Sequence, residues 1–177
     1  MRDAFAGGHA AWAMLQPNYI ADHPAFRDFQ DSITDALVPA IAAAGISHVV
    51  ALSGTEAELP AGSGPVLGLR YFEQRLDGIV GLNVLHLRAG YFMENLLGFV
   101  DQLAAGDTIS GPLSPTVPLP LVDTGDVGDA GAAALLALDF SGRVVRELYG
   151  QRDLASPGTS TSMSRRCAAD WCGSRGR

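Results

Sequence analysis

The sequence predicts an α/β fold, half of a doubly wound parallel sheet, and three features predict it. Apolar runs at 11–15, 48–53 and 83–88 are nearly continuous, as in parallel strands covered on both faces. Segments with helical spacing of apolar side chains lie between them. The connections are long enough for crossovers, right-handed by the general rule.

The run Ala-Trp-Ala-Met-Leu at 11–15 reads as a buried strand. It ends at Gln16-Pro17-Asn18, because proline cannot continue a sheet ladder and asparagine suits a turn. Asp22-His23-Pro24 resembles a helix start with proline in the first turn. Beyond it Phe26, Phe29, Ile33, Leu37, Ile41 and Ala44 mark one helical face. Pro39 removes a backbone donor inside that helix and predicts a kink or local break, and Gly45 ends it. The second strand spans 48–53, a helix is expected over 67–76, and a third strand at 83–88 stops at Ala89-Gly90. An Ala-rich helix over 126–138 and a strand over 143–149 follow.

At roughly 100 to 200 residues per domain, a chain of 177 residues that is 47% apolar predicts one domain with a sizeable core. No stretch approaches the roughly 18 consecutive apolar residues of a membrane span, so no membrane partner is expected. Met1-Arg2-Asp3-Ala4-Phe5 does not open a secretory signal, which makes the cytoplasm the expected compartment. All 12 basic residues are Arg, and the absence of Lys excludes Schiff bases, phosphate-gripping lysines and lysine-assisted tyrosines. The formal net charge is -7, and dispersed Arg offers no basic stripe for nucleic acid.

Charge is unevenly spread. Residues 1–154 carry 8 Arg against 18 acids, and residues 155–177 carry 4 Arg against 1 acid. The second stretch has neither helical nor strand periodicity, so the predicted organisation is an α/β domain over 1–154 and a disordered basic tail over 155–177. Cys167 and Cys172 lie in the tail, far in sequence from His9, His23, His48 and His86. They read as incidental thiols, and no metal is expected.

Ligands of such sheets bind beyond the carboxyl ends of the strands. That rule nominates Gln16-Pro17-Asn18-Tyr19, Ser53-Gly54-Thr55 and Gly90-Tyr91-Phe92-Met93-Glu94-Asn95, with ordinary turn and packing roles as the alternative. The string Gly62-Ser63-Gly64-Pro65-Val66-Leu67-Gly68 reads as a surface loop, since Pro65 stands where a donor to phosphate is needed. Asp123, Asp126 and Asp129 suit the start of a helix better than a cation site. Ser53 lacks the Gly-x-Ser-x-Gly surroundings of a hydrolase nucleophile.

Two stretches carry a family resemblance, 68–76 (Gly-Leu-Arg-Tyr-Phe-Glu-Gln-Arg-Leu) and 81–95, the latter containing Leu-Arg-Ala-Gly-Tyr-Phe-Met-Glu-Asn. With Ala4-Phe5-Ala6-Gly7-Gly8-His9-Ala10, Pro17-Asn18, the 48–53 strand, 122–129 and 150–154, the chain resembles the NmrA-like branch of the atypical short-chain dehydrogenases. The resemblance implies a Rossmann-type NAD(P)-binding fold. For many members it implies NAD(P)H-dependent reduction of quinone-like or related electrophiles, and for others dinucleotide sensing without turnover. By the same resemblance Pro17 and Asn18 lie near the dinucleotide, and Ser53 and Gly54 near the nicotinamide ribose. Tyr91, Phe92 and Asn95 fall at the nicotinamide or substrate end, and Arg70 and Tyr91 face a small electrophilic substrate. Arg70 could instead cap its helix, and no catalytic residue is assigned. Tyr71 and Arg75 have the spacing of the short-chain dehydrogenase Tyr-x-x-x-Lys pair, but arginine holds its proton too firmly to replace lysine, which favours a surface helix pair.

The chain departs from that family in two places. It has no opening strand with a glycine-rich turn to hold the diphosphate, nor the acidic residue that selects the ribose. The match also stops at Leu154. These departures predict a fragment, the second βαβαβ half of the fold without its glycine-rich unit. Little NAD(P)H binding is expected from this chain alone, and the unpaired edge of the 11–15 strand predicts self-association.

Overall fold

The computed structural model describes residues 2–16, 25–62, 64–105, 118–150 and 153–154. In chain order the strands are β1 (Ala10–Met14), β2 (His48–Gly54), β3 (Asn83–Ala89), β4 (Tyr91–Phe92), β5 (Leu119–Val122), β6 (Arg143–Leu148) and β7 (Asp153–Leu154). The α-helices are α1 (Phe26–Ala44), α2 (Leu67–Asp77), α3 (Val100–Ala105) and α4 (Thr124–Ala137). They form two compact units, Met1–Gly90 with Gly125–Leu148, and Tyr91–Thr124 with Tyr149–Arg177.

The first unit is the predicted α/β half-sheet, four parallel strands in the order β1-β2-β3-β6. Trp12 stands opposite Val50, Val50 opposite Leu85, and Leu85 opposite Val144. Side chains alternate across a strand, so this register puts Ala11, Ala13, Val49, Ala51 and Val84 on one face. Val38 and Ile41 of α1 and Phe72 and Leu76 of α2 close over that face in one core cluster. Trp12 belongs to the opposite face, and there it meets α4: a Cβ at Gly131 would lie 2.1 Å from the Trp12 ring. Helices therefore cover both faces, as a doubly wound sheet requires. The strand order advances in one direction throughout while α4 lies across the sheet from α1 and α2. The β3-to-β6 connection, which enters β6 from α4, thus has the opposite hand to the first two.

Helix α1 runs unbroken through Pro39, so the predicted local break does not occur. Pro39 is exposed, and so is Asp35, whose carbonyl it leaves without a helical donor. Gly45 ends the helix as expected, in the left-handed region at φ 69°, with its N–H bonded to Ala42 O. The predicted helix start at Asp22-His23-Pro24 lies outside the described residues. No helix among the described residues is long and apolar enough to cross a membrane.

In the second unit β4 pairs in parallel with β5, and β5 pairs antiparallel with β7. A 3-10 segment, Met93–Phe99, follows β4 and leads into α3. The basic stretch 155–177, with Cys167 and Cys172, lies outside the described residues.

Candidate functional site

In the first unit the carboxyl ends of β2 and β3 lie side by side, with Ser53 opposite Arg88 and Gly54 opposite Ala89. Thr55 ties the two ends together, since its backbone N–H and its hydroxyl both donate to Ala89 O, at 3.0 and 3.2 Å. The chain then folds back in a tight turn, with Ala57 N–H on Gly54 O and Leu59 N–H on Glu56 O, and Glu56 takes φ 68°.

A buried ion network supports this turn. Arg88 forks onto the Glu73 carboxylate of α2 through Nε at 3.0 Å and Nη2 at 2.8 Å, and its Nη1 reaches Glu58 Oε2 at 2.6 Å. Arg70 donates to the Glu58 backbone carbonyl, so two arginines hold the same turn residue. The Arg88 and Glu73 side chains are only 12% and 8% exposed. Burial raises the Glu73 carboxyl, but hydrogen bonding from Arg88, the nearness of the Ser53 hydroxyl and the charges of His86 and Arg88 outweigh it and leave the pKa below the ordinary value. Arg88 is held more firmly protonated, chiefly by its bonds to Glu73 against the effect of burial. One helical turn along, Asp77 Oδ1 meets His86 Nε2 at 2.8 Å.

Among the described residues two buried polar atoms on this face, Ser53 Oγ and His86 Nδ1, have no hydrogen-bond partner. They project from neighbouring strands beside Glu73. Gly54 closes the strand, and a Cβ there would lie 3.1 Å from Leu69 Cδ1, so a side chain at this strand end presses on Leu69, which must give by a few tenths of an ångström.

The structure brings together Ser53, Gly54, Thr55 and Arg70 of the nominated residues. Pro17 and Asn18 lie outside the described residues. Tyr91, Phe92 and Asn95 belong to the second unit, the first two half-buried and Asn95 exposed. There Glu94 accepts the backbone N–H of Thr124, the first residue of α4, at 3.2 and 3.3 Å, which is a helix-start role. Tyr71 and Arg75 form a surface pair, both bonded to Asp35 of α1. The Gly64–Val66 segment is a short 3-10 turn running into α2. Among the described residues no three His, Cys, Asp or Glu converge as metal ligands, Asp123, Asp126 and Asp129 included.

Sequence reading missed Glu58, Glu73, Asp77, His86 and Arg88. A signal for them exists: His86 and Arg88 are two apart in a strand, and Glu73 and Asp77 four apart in the preceding helix, so each pair shares a face with the right period.

These residues fit one end of a dinucleotide. The strand ends supply a buried hydroxyl without a partner, a position without a side chain and a braced turn. The diphosphate end finds no counterpart in the network, because its two arginines, Arg70 and Arg88, are each committed to a partner within the chain.

No family model and no curated protein sequence matches the chain. Solved structures do. A triphenylmethane reductase from Citrobacter sp. is similar over 87% of this chain and 50% of its own, with 15% identity and a TM-score of 0.67. The NADPH-dependent quinone oxidoreductase QOR2 from Escherichia coli, solved with NADPH, matches 99% of this chain and 55% of its own, at 18% identity and a TM-score of 0.70. The DesIV dTDP-glucose 4,6-dehydratase of Streptomyces venezuelae, solved with NAD, matches 99% and 60%, at 18% identity and a TM-score of 0.71. The chain thus has the Rossmann-type fold of these proteins and spans about half their length, 50 to 60%.

Proposed function

We propose that this chain is the nicotinamide-side half of an NmrA-like NAD(P)H-dependent oxidoreductase acting on quinone-type or related electrophiles. The observation that carries the reading is the parallel β1-β2-β3-β6 order with Ser53-Gly54-Thr55 at the carboxyl end of an inner strand, where ligands of open α/β sheets bind. The dinucleotide, when bound, supplies hydride from its reduced nicotinamide. In this reading Ser53 and Gly54 border the nicotinamide ribose, and the turn braced by Arg70, Glu73 and Arg88 keeps the strand end in place. Pro17 and Asn18 line the dinucleotide, and Tyr91, Phe92 and Asn95 border the nicotinamide and a flat acceptor. Arg70 belongs to the substrate side through the turn it holds. The diphosphate grip comes from a glycine-rich βαβ half that this sequence does not contain.

The test joins such a half, from a solved NADPH-binding reductase, ahead of residue 2. The proposal expects the isolated chain to bind NADPH poorly and the folded chimera to bind it and oxidise it with a quinone panel. A folded chimera without NADPH affinity overturns the reading. Tight binding without turnover on any acceptor would favour a dinucleotide-sensing regulator instead.

A further inference from the structure

We infer that His48 closes a clasp that accepts one proton state only: as a neutral ring with its proton on Nδ1, it completes a one-way chain of hydrogen bonds across the amino ends of all four strands of the first unit. The inference does not rest on the dinucleotide reading, and it concerns the end of the sheet away from Ser53-Gly54-Thr55. His9 and Gly142 immediately precede β1 and β6, Ser47 precedes β2, and His48 and Asn83 open β2 and β3.

Each bond fixes the direction of the next. Gly142 N–H donates to Asn83 Oδ1 at 2.9 Å, so the Asn83 oxygen is turned to Gly142 and its NH2 group to His48. That NH2 group lies 3.1 Å from His48 Nε2, and two donors cannot share a hydrogen bond, so Nε2 is a bare acceptor. A neutral imidazole then carries its proton on Nδ1, which meets Ser47 Oγ at 3.0 Å. Ser47 accepts there because its own hydroxyl proton goes to His9 O, at 3.1 Å. Backbone bonds run alongside, from Ser47 N–H to His9 O at 3.3 Å, from Asn83 N–H to Ser47 O at 3.0 Å and from Val84 N–H to Gly142 O at 2.8 Å. Buried Phe140 packs against the His48 ring at 81°, with centroids 5.3 Å apart.

A second proton opens the clasp. On Nε2 it faces the Asn83 NH2 group, and Asn83 can accept it only by turning its oxygen away from Gly142. No carboxylate replaces the lost bond, since among the described residues His48 has no ion pair. The titratable groups on the segments around it are otherwise placed. His9 and Asp139 are exposed, and Asp77 is shared between His86 and Arg143.

Nitrogen-15 NMR of the full chain reads the proton state directly. At neutral pH the His48 shifts should show Nδ1 protonated and Nε2 bare. Asn83→Asp keeps an oxygen for Gly142 but sets a second acceptor against His48, so Nε2 should become protonated. Asn83→Ala removes the acceptor of Gly142 and should speed amide exchange there about tenfold. Acid added to the native chain until both His48 nitrogens are protonated should release Gly142 in the same way, after correction for the intrinsic pH dependence of exchange. Circular dichroism checks that the variants remain folded, and the two measurements on the native chain do not depend on them. Native His48 with its proton on Nε2, a bare Nε2 in folded Asn83→Asp, or exchange at Gly142 that ignores the His48 proton state overturns the inference.

Discussion

Replacing Arg88 by methionine tests the buried network most sharply. Methionine keeps an unbranched stem but removes the guanidinium, leaving Glu73 as a carboxylate 8% exposed without its countercharge. Breaking a buried pair from one side costs about 3–5 kcal/mol. Glu73→Gln should cost less, about 1–3 kcal/mol, because Arg88 keeps Glu58 at 2.6 Å. The double variant Glu73→Leu with Arg88→Met should recover most of the loss, since no buried charge remains.

The pH dependence separates this account from simple loss of packing. In the native chain the Glu73 pKa is lowered, with burial working against the hydrogen bonds from Arg88. Its contribution is therefore complete above the ordinary carboxyl pKa and is lost as pH falls through the lower folded value. Without Arg88, burial dominates and raises the folded pKa. Acid then protonates Glu73 more readily in the folded variant than in its unfolded chain. The deficit of Arg88→Met relative to the native chain should shrink between about pH 7 and about pH 4. Urea unfolding followed by circular dichroism at both values measures it. A loss under about 1 kcal/mol, or a larger one that ignores pH, refutes the reasoning.

Other positions give independent checks. Gly131→Ala places a methyl 2.1 Å from the Trp12 ring and should cost about 1–3 kcal/mol by thermal melting, despite the better helix propensity of alanine. Gly45→Ala forces a Cβ into the left-handed region at φ 69° and should cost about 1 kcal/mol in the same assay. Asp35→Ala removes the bonds from the half-buried Tyr71 and Arg75 at an exposed position, so urea unfolding should show less than about 1 kcal/mol.

The half-sheet was legible because β1, β2 and β3 are short apolar runs, α1 has a distinct apolar face and α4 is rich in alanine. β2 and β3 begin at His48 and Asn83, as predicted, and α2 begins at Leu67. The second unit was not legible. Tyr91–Phe92 and Asp153–Leu154 are two-residue strands, too short for any period, and Leu119–Val122 contains a proline. Position alone identified Ser53-Gly54-Thr55 as a strand end, because that follows from strand direction. The ion network was harder to see: Glu73 and Arg88 are 15 residues apart, and their meeting depends on how α2 lies over β3. Pro39 misled because a proline rule takes no account of which side of the helix loses its bond.

The most direct test of the account is a map of amide chemical shifts as NADPH is added to the chimera carrying a glycine-rich half. The account predicts changes at Gly54, Thr55 and Gly90, at the carboxyl ends of β2 and β3, with His48 and Asn83 at the opposite ends unmoved. Shifts concentrated at His48 and Asn83, or none at the carboxyl ends when NADPH is bound, would contradict it.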